Sequence, residues 1–285
     1  MGSQVTIELK DINFSYLRSK SPVLKNINLT VNKGEFLGIM GPTGAGKTTL
    51  LYCMNGVIPH YLKGYLTGDV IVNGKSTRDL TLGQLSQIIG LVMQDPEAQL
   101  FNLFVNEELA WGLENRGLPK EEIIKRRQEA LEFFEIDYIQ DSVTYDLSGG
   151  EKQKVSIASI FALGNEIIFL DEPTSELDPI GTVMVFDAIK KLASKEGTTI
   201  VMVEHKAEEL AEFADRLVLL NNGEIVNDAE PREFFAQKKL LEEAGISTPQ
   251  VTELSYDLEA RGVSLNKIPL TLDEATSIYK ELKRR

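Results

Sequence analysis

Gly41-Pro42-Thr43-Gly44-Ala45-Gly46-Lys47-Thr48 satisfies the pattern GxxxxGK[ST], in which glycines, a lysine and a hydroxyl converge on a chain of phosphates. Gly41, Gly44 and Gly46 let backbone N–H groups curl around phosphate oxygens, and a helix starting just beyond aims its positive end at the same anion. In that geometry Lys47 reaches the β and γ phosphates of a nucleoside triphosphate and the Thr48 hydroxyl takes a Mg²⁺ ion. Pro42, Thr43, Ala45 and Thr49 are expected among the nucleotide contacts. A second group stands at Asp171-Glu172, after the apolar strand Glu166 to Leu170. A strand of a parallel sheet presents its carboxyl end to the ligand crevice, so one carboxylate can hold Mg²⁺ through water while the next activates an attacking water. Alone, such a pair is often a solvated turn; beside a phosphate cradle it becomes a candidate site. His205, after the strand Thr199 to Val203, opens into the same crevice, where an imidazole could contact the γ phosphate and orient the water. By itself a histidine after a strand is usually structural, and His60, in an irregular stretch, is assigned no role.

These residues need elements to hold them. Residues 5 to 40 read as short alternating strands that lead through Lys33-Gly34-Glu35 into the apolar run Phe36 to Met40, with a helix expected from Thr48 to Asn55. Asp69 to Val72 is strand-like and ends in Asn73-Gly74, a hairpin pair. From Asp95 to about Asp146 the period becomes helical, with Ile123, Ile124, Arg127, Ala130, Leu131 and Phe134 on one face that Arg127 interrupts. The chain then alternates strand and helix: Ile167 to Leu170, Ile180 to Ser194, Thr199 to Val203, Lys206 to Ala214 and Leu217 to Leu220. That order predicts an α/β fold with a parallel sheet and right-handed crossovers. Beyond about Glu230 the composition is charged and helical, which predicts a small appended domain over 231–285.

The composition narrows the class. With 285 residues and 42% hydrophobic content the chain can bury a large core. Its longest apolar runs fall well short of the roughly 18 residues of a membrane span, so no crossing of a bilayer is expected. Thirty Lys and Arg against 43 Asp and Glu give a net charge of −13, which opposes binding to nucleic acid. Cys53, the only cysteine, cannot form an intrachain disulfide and reads as a small apolar residue. The amino-terminal pattern predicts a cytoplasmic protein. Met1-Gly2 with Thr6 fits the short myristoylation pattern, and Met1-Gly2-Ser3 fits an expression scar equally well.

Leu147-Ser148-Gly149-Gly150-Glu151-Lys152-Gln153 resembles the signature loop of ATP-binding-cassette (ABC) ATPases. The ordered set around it is similar too: Gln94 to the Q-loop glutamine, Ser175-Glu176-Leu177-Asp178 to the D-loop, His205 to the switch histidine, and Tyr16 to the aromatic residue that stacks on adenine. A tyrosine that merely packs in the core or on an edge strand is the alternative reading of Tyr16. The signature has a rationale of its own, since Ser148, Gly149 and Gly150 precede a helix whose free N–H groups face an anion. The resemblance implies that this anion is the γ phosphate of ATP held by a second protomer. It implies a P-loop NTPase core with an antiparallel β lobe and an inserted helical lobe from about 95 to 165, an ATPase domain over 1–230, and ATP and Mg²⁺ as cofactors. It also implies Glu172, His205 and Gln94 as catalytic residues, and Thr48, Gln94 and Asp171 as metal residues.

Within that family, Gln94-Asp95-Pro96-Glu97-Ala98-Gln99-Leu100-Phe101 and the tail residues Pro249, Leu254, Leu258, Gly262, Pro269 and Thr271 to Glu274 resemble the ATPases of energy-coupling factor (ECF) transporters. The partners implied are a second ATPase protomer, identical or related, and integral membrane subunits: a transmembrane coupling protein and a substrate-binding protein. The place implied is the cytoplasmic face of the membrane. Glu176 departs from the commoner D-loop alanine. A DNA-repair ATPase would carry a coiled-coil or zinc-bearing insertion and a translation factor two cassettes, and neither pattern is present; another ABC importer or exporter is the nearer alternative.

Overall fold

The computed structural model describes residues 4–282 except 20, 196, 264 and 266, and the side chains of 281 and 282 also stand outside the description. Gly2 of the myristoylation pattern lies outside the described residues. Thr6 of the same pattern is buried, its hydroxyl donating to Asn73 Oδ1 at 2.6 Å.

Alternating apolar and polar residues make Val5–Tyr16 (β1) and Leu24–Asn32 (β2) half-buried strands, and they pair antiparallel with Leu9 opposite Leu29. Phe36–Met40 (β3) is apolar but for one glycine and buried at every position, so it belongs to a different, two-sided sheet. Gly64–Val72 (β4) pairs with the free edge of β1 and turns through Asn73-Gly74, with φ of 47° and 78°, into Lys75–Ser76 (β5). These strands form a four-stranded sheet in the order β2-β1-β4-β5.

The second sheet adds Ile89–Val92 (β6), Ile167–Asp171 (β7), Thr199–Val203 (β8), Arg216–Asn221 (β9) and Glu224–Ala229 (β10), in the order β10-β9-β3-β8-β7-β6. All its neighbours are parallel except β10 against β9. Successive residues of its central strands enter different cores. Leu37, Ile39, Phe169, Val201 and Val203 meet the small sheet and Lys47–Met54 (α1), while Phe36, Met40, Ile168, Leu170, Ile200 and Met202 meet the helical side. Such a sheet brings the carboxyl ends of β3, β6, β7 and β8 to one edge, where the candidate residues stand.

The remaining helices are short Val57–His60 (α2), Leu82–Ile88 (α3), Val105–Asn115 (α4), Lys120–Phe134 (α5), Gly149–Leu163 (α6), Pro179–Ala193 (α7) and Ala207–Phe213 (α8). Helix α7 starts where Asp178-Pro179 predicts, with Asp178 accepting from the Gly181 N–H at 2.6 Å. Along α5 the predicted stripe is buried only in its second half: Ala130, Leu131 and Phe134 are covered, but Ile124 is 46% exposed. Arg127 marks the transition. After Glu230 come Pro231–Phe235 (α9), Lys238–Glu243 (α10), Gln250–Ala260 (α11) and Leu272–Leu282 (α12). Phe234, Phe235, Leu241 and Leu270 of this segment share the hydrophobic cluster on the helical side of the large sheet.

Cys53 is buried in the other core, and burial pushes its thiol up to about 12, as suits an inert apolar filler. His60 ties two segments together, its Nε2 lying 2.8 Å from the Thr77 carbonyl.

Candidate functional site

Helix α1 begins on Gly46, whose φ of 105° a side chain would strain, and Lys47 occupies the first helical position. The lysine is 5% exposed, and its Nζ donates to the carbonyls of Gly41 at 2.9 Å and Pro42 at 3.3 Å. Two groups from other strand ends approach the same nitrogen, Glu172 Oε1 at 3.4 Å and His205 Nε2 at 3.2 Å. Glu172 and His205 also meet each other at 3.0 Å. The loops after β3, β7 and β8 therefore bring one cation, one carboxylate and one imidazole together, as three separate sequence signals predicted.

Asp171, the last residue of β7, is buried and accepts from the Thr48 hydroxyl at 3.2 Å. Burial pushes its carboxyl above the ordinary range; the Thr48 hydrogen bond and the Lys47 charge oppose that shift, and neighbouring Glu172 adds to it. Glu172 follows in a left-handed conformation, φ 46°, with its N–H on the Val203 carbonyl at 2.9 Å. That unusual backbone turns its carboxylate toward Lys47.

Sequence reasoning passed over Glu204. It is 1% exposed, accepts from the His205 N–H at 2.7 Å through Oε1 and from the Thr174 hydroxyl at 2.7 Å through Oε2. The carboxylate thus binds the His205 segment to the loop that follows Glu172. A glutamate after a strand reads as a solvated turn, and only the three-dimensional pairing with Thr174 reveals it. Thr174→Val should cost about 1–3 kcal/mol, because it strands a buried acceptor. Urea unfolding midpoints measure this, and an unchanged midpoint would remove the pair from the structure's supports.

A groove of about 460 Å³ runs past these groups, lined among others by Thr43, Gly44, Lys47, Thr48, Gln94 and Glu172. Gln94, two residues past β6, thus reaches the predicted place. Tyr16 stands at its border: its hydroxyl lies 3.0 Å from Thr49 Oγ1 and its ring edges onto Phe14, so it is fixed beside α1 rather than along the groove wall. The oxygens of Thr48, Asp171 and Gln94 suit a hard divalent cation such as Mg²⁺. Among the described residues no cluster of three or more His, Cys, Asp or Glu could hold a metal. Mg²⁺ takes one or two protein ligands together with substrate phosphates, which the oxygens of Thr48 and Asp171 could supply.

The signature residues stand elsewhere. Ser148 caps α6 in a reciprocal box: its N–H and hydroxyl both donate to Glu151 Oε2, at 3.0 and 2.7 Å. Tyr138 donates to the other carboxylate oxygen at 3.0 Å. Burial raises the Glu151 carboxyl, but these hydrogen bonds outweigh it and hold the group below its usual value. Ser148, Gly149, Gly150, Glu176, Leu177 and Asp178 share a groove of about 340 Å³ that is distinct from the phosphate groove of the same chain. Gly150 stands so close to Gly181 that a Cβ on it would lie 2.7 Å from the Gly181 Cα. The predicted nucleotide contacts are therefore split between two surfaces.

The family model described as "ABC transporter" matches residues 24–175, which spans the phosphate loop, Gln94, the signature loop and Asp171-Glu172. The chain belongs to the ABC transporter ATPases. An ABC transporter ATP-binding protein of Pyrococcus abyssi is 40% identical over 97% of this chain and 99% of its own length. The energy-coupling factor transporter ATP-binding protein EcfA1 of Caldanaerobacter subterraneus is also 40% identical, over 94% of this chain and 96% of its own. Among solved structures, CbiO1 of Clostridium perfringens, part of the ABC transporter complex CbiONQ, is similar with a TM-score of 0.76 and 28% identity, covering 90% of this chain and 99% of that one. The dimeric ATP-binding cassette MJ0796, in a post-hydrolysis state with ADP and Pi, gives a TM-score of 0.67 at 31% identity, over 79% and 99%. This ABC protein is accordingly an ATP-binding, ATP-hydrolysing transporter subunit with the predicted α/β fold. Among its described residues no helix is long and apolar enough to cross a membrane.

Proposed function

We propose that this ABC ATPase is the motor subunit of an ECF-type importer that takes up a micronutrient, a vitamin or a transition-metal ion, and that it works at the cytoplasmic face of the membrane. The observation that carries the subtype is the 40% identity to EcfA1 over 94% of the chain, which takes in most of the segment after Glu230. We assign that segment, 231–285, to an interaction domain and 1–230 to the ATPase domain.

In this reading two protomers close on ATP. Lys47 and the backbone N–H groups of Gly41 and residues 43–46 bind the phosphates, Tyr16 takes the adenine side, and Thr48, Asp171 and Gln94 hold Mg²⁺. The bound ion neutralises phosphate charge. Glu172 accepts a proton from the attacking water, while His205 and Gln94 keep that water in line. Ser148, Gly149 and Gly150 of one protomer serve the γ phosphate held by its partner, which accounts for their separation from the phosphate groove of their own chain.

A membrane partner needs a surface. Phe101, Leu103, Phe104 and Trp111 are exposed beside the Gln94 segment, with the Phe101 and Trp111 rings packed edge to face at 4.4 Å. The adjoining groove includes Asn106 and Arg127, whose Oδ1 and Nε are buried without a partner among the described residues. An exposed aromatic cluster of this kind is the chemistry of a protein contact. Co-purification tests it: the chain should bring integral membrane subunits from native membranes. Trp111→Glu should lose them while keeping ATP binding. Membrane subunits retained undiminished by the variant would refute this docking face.

A further inference from the structure

Helix α6 carries the signature serine at its cap and, one turn later, Lys152 and Gln153. Gln153 is fully buried, and its Nε2 donates to the Met93 carbonyl at 3.2 Å. Its Oε1 is buried with no partner among the described residues. Lys152, 12% exposed, forms an ion pair with Glu97. Glu97 belongs to the turn Pro96–Ala98, which Asp95 caps by accepting the Glu97 N–H at 2.8 Å. Gln94 lies between the two attachment points. The segment that delivers Gln94 to the phosphate groove is therefore fastened on both sides to the first turns of the helix that Ser148 caps.

Packing alone would not favour this arrangement. A buried amide with one half unpaired is less favourable than an apolar side chain of similar volume. The Ser148–Glu151 box fixes the start of helix α6 one turn before Lys152 and Gln153, so the two attachments and the signature serine share one short stretch of helix.

We propose that Gln153 and Lys152 are positioning residues that link a protomer's own nucleotide, sensed through Gln94, to the signature serine it offers its partner. The inference rests on the cross-protomer reading above.

The test uses the full chain carrying Glu172→Gln, which slows turnover, and reads two quantities. One is MgATP affinity in monomers held apart by Ser148→Arg; the other is the ATP concentration for half-maximal dimerisation by light scattering, with Ser148 intact. Glu97→Lys and Lys152→Glu should each raise the second about tenfold and change the first less than about twofold, in the ordinary range of coupling between sites. The double exchange, with the ion pair restored in reverse, should return dimerisation to within about threefold of the parent. Gln153→Met should act as the single exchanges do. Glu97 is largely exposed, so its replacement leaves the fold intact even if buried Gln153 tolerates no change. Single exchanges that leave dimerisation unshifted, or a double as weak as the weaker single, overturn the link. A parent that fails to dimerise with ATP, or a Ser148→Arg chain that dimerises as readily as the parent, removes the cross-protomer reading and this inference with it.

Discussion

Glu172→Gln is expected to lower steady-state phosphate release by on the order of 10²–10⁴-fold, the usual loss when a positioned general base is removed. The amide keeps the shape of the carboxylate and can still meet His205, but it cannot take a proton from water. Lys47, Thr48 and Asp171 are untouched and should still bind MgATP. Binding that normally ends in hydrolysis should then persist as a long-lived ATP-bound dimer. Phosphate release and mass in solution, measured on one sample with and without MgATP, decide the matter. Turnover near the wild-type rate would exclude Glu172 as the base and leave His205 as the next candidate. Loss of both hydrolysis and dimerisation would make Glu172 a structural residue, which its left-handed backbone and its contacts with Lys47 and His205 would then explain.

Lys47→Ala should weaken MgATP binding about ten- to hundredfold, the range for losing hydrogen bonds from a charged donor. The buried ammonium is the cation at the centre of the site, 3.4 Å from Glu172, and also opposes the upward shift of the Asp171 carboxyl. Its removal leaves two adjacent carboxylates less compensated, so Asp171 should move further up. Nucleotide affinity should then begin to fall at a higher pH than in the wild type, because a protonated Asp171 no longer serves the metal. Calorimetric titration at several pH values measures both effects. An affinity within about threefold of wild type would detach Lys47 from the phosphates.

The phosphate loop and the two strand-end groups were legible because each couples a short polar motif to an apolar strand, and parallel strands leave little choice about where their carboxyl ends lie. The large sheet followed from runs buried on both faces, and β1 and β2 from alternation that β1 breaks around Lys10 and Asp11. Other features depend on partners remote in sequence. Ile124 has the right period, but a helical stripe is buried only as far as its neighbours extend. Glu204 and Gln153 look like solvated polar residues until Thr174 and Met93 are brought beside them. The Tyr16 hydroxyl meets Thr49 only because β1 ends beside α1.

The near contact of Gly150 with Gly181 joins the start of α6 to the first turn of α7 with no side chain between them. Ser148 and the segment Glu176–Asp178 thus line one groove. A partner that docks there orders one body instead of two independent loops, which lowers the entropy lost on association. On the proposed dimer, a preorganised surface of this kind needs little rearrangement between encounter and complex.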